Sequence, residues 1–144
     1  VFGVSRDERR RRISELLEVF ELESAVRDII QSYSHGMKQK LALIGALLHE
    51  PRVFILDEPM VGLDPKASRL FKDMMRNHCD KGHTVFFSTH ILEVAERLCD
   101  RVGIINRGRL IACGSVEDLR ERRKQADETL EDIFLELTAE EEAK

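Results

Sequence analysis

Long apolar runs are missing from this chain of 144 residues. Runs such as Val53–Leu56 and Val85–Phe87 hold only a few residues, whereas a helix that crosses a bilayer needs about 20. No part of the chain is expected to span a membrane by itself. Cysteine is scarce as well. Cys79, Cys99 and Cys113 are three, an odd number, and lie far apart. That argues against a disulfide framework and against a zinc site, and suits a reducing cytosol. Charge of one sign is in no great excess either, with 23 Lys and Arg facing 27 Asp and Glu for a formal net charge of −4. Such a balance gives no support to a broad nucleic-acid surface and leaves room only for a local basic patch. No Met precedes Val1, and the basic stretch Arg9–Arg12 is not followed by the apolar segment of a secretion signal. The expectation is a piece of something longer. No internal repeat is visible.

What is present is enough apolar material for a core: 42% of the residues are hydrophobic and 35% charged, outside the range of disordered chains. Ser5 and Glu8 have capping-box spacing, and Ile13, Leu16, Leu17 and Phe20 recur with a helical period. A short helix is expected over Ser24 to Ile30. A third, capped by Ser34, places Met37, Leu41, Ile44, Leu47 and Leu48 on one face and stops before Pro51. Val53–Leu56 reads as a strand buried on both faces. Asp64 and Pro65 supply an N-cap and a first-turn proline for a helix whose stripe is Leu70, Phe71, Met74 and Met75, with Gly82 as its stop. Thr84–Ser88 reads as a second buried strand, parallel to the first through a right-handed βαβ crossover. A short helix over Ile91–Leu98 follows. Val102–Asn106 and Leu110–Cys113 flank Asn106-Arg107-Gly108, a hairpin signal. Ser115 with Asp118 caps another helix. Arg120–Glu128 is almost wholly polar, a solvated helix or a linker. Leu130, Ile133, Phe134 and Leu137 form a last amphipathic segment before the acidic Glu140–Glu142. Arg9–Arg12 reads as a solvated helix face, Met74 and Met75 as core filling, and Cys99 and Cys113 as small buried side chains.

Chemistry concentrates at three places. Asp57 and Glu58 stand at the end of the first strand, and the C-terminal edge of a parallel sheet is where ligands bind in such folds. Paired carboxylates there suit a division of labour, one holding a cation and one taking a proton from water. His90 follows the second strand at the same edge and could meet a phosphate oxygen or the attacking water. Ser34-His35-Gly36 opens a helix, whose N–H groups and dipole favour anions.

These stretches resemble a known family. Y-S-H-G-M-K-Q-K (Tyr33–Lys40) looks like the signature motif of the ABC (ATP-binding cassette) ATPases, and V-F-I-L-D-E-P (Val53–Pro59) like their Walker B strand. G-L-D-P (Gly62–Pro65) looks like the D-loop and S-T-H (Ser88–His90) like the switch-histidine loop. The resemblance covers roughly Ser5 to Leu119. T-L-E-D-I-F-L-E-L-T (Thr129–Thr138) further resembles the ending of subunits that serve ABC-2-type exporters. The resemblance implies ATP and Mg2+ as cofactors. Asp57 would hold the metal through its water shell, Glu58 would polarise the attacking water, and His90 would contact the γ-phosphate. Asp64 would lie near a dimer seam. Ser34, His35 and Gly36 would face the nucleotide of a second nucleotide-binding domain in a head-to-tail dimer. A transmembrane permease is the implied partner, with no nucleic acid, and the implied place is the cytoplasmic face of the cell membrane.

The chain departs from the family in two ways. No glycine is followed by lysine, so the phosphate loop G-x-x-x-x-G-K followed by Ser or Thr is absent. The signature carries Tyr33, His35 and Met37 where Leu, Gly and Gln are usual. The expected fold is therefore α/β, part of a P-loop NTPase-type domain lacking its N-terminal strands and phosphate loop. Residues 1–50 would form a truncated helical subdomain, 51–119 the second half of the ATPase core, and 120–144 a charged helical extension. Taken alone the chain should not hydrolyse ATP. Two other readings stand beside an exporter ATPase: an inert module that donates its signature helix to a complete ATPase, and a soluble ABC ATPase without a transporter.

Overall fold

The computed structural model describes residues 3–123 and 128–142. The remaining residues of the polar stretch, 124–127, lie outside the described set. The chain forms two units, Val1–Ser88 and Thr89–Lys144.

In the first unit, α1 spans Arg6–Val19 and is capped as its sequence requires, with Ser5 Oγ accepting from the Glu8 N–H at 3.2 Å. Two arginines of its basic run are paired. Arg11 bonds Glu8 and Glu15, while Arg12 bonds Glu8 and reaches Glu50 at 3.0 Å. The expected helix over Ser24–Ile30 is replaced by two single 3-10 turns, Glu23–Ala25 and Ile30–Ser32. Seven residues rich in β-branched side chains give too few hydrogen bonds to repay helix nucleation. Tyr33 closes this segment from within, its buried hydroxyl donating to the Ala25 carbonyl at 2.7 Å. Helix α2, His35–Leu47, follows and buries Leu43 and Ile44.

Strand β1 (Val53–Leu56) pairs in parallel with β2 (Thr84–Phe87), Val53 opposite Thr84 and Leu56 opposite Phe87. Between them α3, Pro65–Asp80, presents Ala67, Phe71, Met75 and His78 as its buried stripe. Asp64 caps it, its carboxylate accepting from the Ala67 N–H at 2.8 Å. His78 is buried without penalty because its Nε2 donates to the Pro51 carbonyl at 2.7 Å.

The two strands are not buried on both faces. Phe54 is 3% exposed, whereas Val53, Ile55 and Phe86 stand 57%, 72% and 66% exposed. Only alternate side chains of a pleated strand meet α3. The opposite face has no such cover among the described residues.

The second unit begins with α4 (Leu92–Leu98), then the antiparallel pair β3 (Val102–Asn106) and β4 (Arg109–Gly114). The turn between them uses Arg107 and Gly108 at φ +49° and +76°, the left-handed pair that two-residue hairpins need. Helices α5 (Val116–Arg123) and α6 (Leu130–Glu142) complete it. Ala95, Val102, Ile104, Val116, Leu119, Leu130 and Ile133 make one core. Glu96 pins the start of α6 by accepting from the Leu130 N–H at 3.3 Å, and it also pairs with Arg120 at 2.5 Å. Cys113 is exposed and Cys99 half-buried. The expectation of two buried thiols thus fails, since Cys113 alternates outward on a hairpin covered on one side.

Candidate functional site

Register brings the first group of site residues together. Leu56 pairs with Phe87, so the next residues along the two parallel strands, Asp57 and Ser88, emerge side by side at the C-terminal end. Ser88 Oγ donates to Asp57 Oδ1 at 2.5 Å and accepts from the Glu58 N–H at 3.0 Å. One hydroxyl therefore fixes both acidic residues. Sequence pattern names Ser88 within the second strand and the S-T-H stretch but gives it no role; the strand register supplies one. Glu58 takes φ +44°, a left-handed conformation that costs a glutamate about 1–3 kcal/mol and that accumulates at working sites. Its carbonyl closes a turn by accepting from the Val61 N–H at 3.1 Å.

The second group gathers around the start of α2. Ser34 Oγ accepts from the Met37 N–H at 3.2 Å, which makes it the helix cap. Gly36 is required by close approach: a Cβ there would lie 2.6 Å from the Gly62 carbonyl oxygen. Gly62, at φ +81°, is required twice over, because a Cβ would come 2.5 Å from His35 Cδ2. The ring of His35 thus lies against the Gly62 backbone, on the loop between β1 and α3. Lys40 Nζ meets Asp64 Oδ2 at 2.8 Å, and Gln39 Nε2 donates to the Pro59 carbonyl at 3.3 Å. Neither Lys40 nor Gln39 was singled out from sequence, for their partners lie about twenty residues downstream. The Lys40 ammonium, followed by the Ala67 N–H, holds the Asp64 carboxyl down to about 2. Asp64 is therefore ionised throughout the neutral range.

His90 belongs to the second unit, exposed, on the turn where the Ile91 N–H donates to Thr89 Oγ1 at 3.1 Å before α4. Among the described residues no cluster of three or more His, Cys, Asp and Glu could hold a metal by itself. Asp57 and Glu58 nonetheless fit a hard cation of the Mg2+ type. Such an ion takes one or two carboxylates and completes its shell with water and substrate phosphates. Among the described residues no helix is long and apolar enough to cross a membrane.

A parallel strand pair with acids at its C-terminal end, beside a capped helix N-terminus, has the ligand-binding edge of α/β domains. The family described as "AAA domain, putative AbiEii toxin, Type IV TA system" matches residues 6–96. Among curated proteins, the ABC-type transporter ATP-binding protein EcsA of Bacillus subtilis is 39% identical over 139 residues, covering 96% of this chain and 56% of its own. The Nod factor export ATP-binding protein I of Rhizobium leguminosarum is 43% identical over 122 residues, covering 85% and 39%. A solved ATP-binding subunit of an ABC transporter superposes with TM-score 0.90 at 39% identity, over 94% of this chain and 57% of that one. A dimeric ATP-binding cassette bound to ADP and Pi superposes with TM-score 0.67 at 27% identity, over 79% and 50%. The chain belongs to the ABC ATPase family. It spans about half the length of the curated relatives it matches, and its fold is correspondingly part of the ABC ATPase domain.

Proposed function

We propose that this chain is the signature- and Walker B-bearing part of an ATP-hydrolysing ABC subunit that drives export through a membrane partner. The observation that carries the reading is the Ser88 bridge, which presents Asp57 and Glu58 together at the ligand-binding edge of β1 and β2. Glu58 is the base that orients the attacking water. His90 reaches the γ-phosphate. Ser34, His35 and Gly36 serve a nucleotide held by a second cassette, so the working form is a head-to-tail dimer, and Asp64 stands near its seam. Asp57 would hold Mg2+, and the bound ion would supply neutralisation of the phosphate charge that builds up in phosphoryl transfer. Residues 1–50, 51–119 and 120–144 are the helical subdomain, the core half and the extension of this reading.

Export is favoured by the relatives, among them proteins named for Nod factor export and linearmycin resistance. A permease domain is the partner, and the cytoplasmic face of the membrane is the place of work. The chain holds no phosphate loop and hydrolyses nothing by itself. In the intact protein, Glu58→Gln is expected to lower ATP turnover about a thousandfold while nucleotide affinity stays within a few-fold. Phosphate release and fluorescent-nucleotide binding measure the two. Turnover at the parental rate in Glu58→Gln would refute the assignment.

A further inference from the structure

Positions 35, 36, 39 and 40 recur at intervals of four along α2 and so share one face of it. That face is fastened to the loop 57–64 along the loop's length. Gln39 holds the Pro59 carbonyl, the His35 ring lies on Gly62, and Lys40 holds Asp64. Asp57 and Glu58 begin this loop, and the residue that caps α3 ends it. Lys40 differs from the ordinary surface lysine in having its side chain only 13% exposed, with Asp64 at 50%. A second tie between the helical region and α3, Lys66 to Glu21, is 77% and 59% exposed. Water screens that exposed pair strongly.

We infer that Lys40 is a positioning residue for hydrolysis, which acts through Asp64 to keep the signature helix and the Glu58 loop in one fixed arrangement. The inference rests on the proposed role of Glu58. Removing the ammonium leaves α2 and α3 intact but lets the loop drift, and small misplacements of a catalytic group lower the rate constant far more than they weaken binding.

The test is a double-mutant cycle in the intact protein with ATP as substrate. Lys40→Met keeps the buried stem without the charge. Asp64→Asn keeps an N-cap for Ala67 and also loses the charge. Each is expected to lower kcat about tenfold, with KM for ATP nearly unchanged and only a modest drop in Tm at neutral pH. The double variant should fall no further than the worse single one, and Lys40→Arg should recover most of the rate. Parental kcat in Lys40→Met, or losses that multiply in the double variant, would overturn the inference. If Lys40→Met does not fold, Asp64→Asn decides by the same criterion. Glu58→Gln, run alongside, separates the two failures: its full activity sinks the functional reading itself, whereas its inactivity beside an unaffected Lys40→Met sinks only the positioning role.

Discussion

At the scale of single residues, Asp64 does two electrostatic tasks at once, capping α3 and pairing with Lys40. Its carboxyl is held down to about 2 in the folded chain from an ordinary 3.8. A depressed carboxylate adds stability that is fully present above its unfolded value and disappears as pH falls through the folded one. The Asp64 contribution should therefore be intact at neutral pH and be lost between about 4 and about 2. A carbon-detected NMR titration of the Asp64 side chain is expected to place its midpoint near the lower figure, and Lys40→Met should move it upward. A midpoint unmoved by Lys40→Met would assign the depression to the cap alone. Local caps of this kind were legible in the sequence, because Ser5, Ser34 and Asp64 each meet an N–H three residues on. The Ser88 bridge and the Lys40 pair were not. Their partners lie 31 and 24 positions away (88 − 57 and 64 − 40), and only folded register brings them near.

At the scale of elements, periodicity found α1, α2, α3 and the parallel pair, and failed where a segment was too short to fold by itself. Ser24–Ile30 has the apolar spacing of a helix, yet it breaks into two tight turns. The last helix shows the opposite balance. Leu130 and Ile133 are 1% and 0% exposed, so α6 is held by burial as well as by its polar tie to Glu96. Truncating Ile133 to Ala leaves a cavity of a few methylenes in that core and is expected to cost about 3 kcal/mol. Thermal melting followed by circular dichroism should report a drop in Tm of roughly ten degrees. A drop of only a degree or two would mean that α6 does not share the cooperative core.

At the scale of the whole molecule, the sheet is too small for the apolar surface it carries. Val53, Ile55 and Phe86 form an uncovered face on strands whose composition demands burial on both sides. Sequence alone read the demand correctly and could not read the supply, since coverage depends on what packs against the strands. Isolated chain should bind an apolar dye such as ANS strongly, and Phe86→Ser should reduce that fluorescence at least about twofold, while the far-ultraviolet spectrum is unchanged. Equal dye binding by the variant would locate the exposed surface elsewhere.

The left-handed backbone at Glu58 carries a different message, about descent rather than stability. Glu21, Glu50 and Arg107 share that conformation, so at Glu58 the strain takes a functional meaning only through its proposed role as the base. On that proposed role, gene copies released from hydrolysing ATP would be free to drift at this codon.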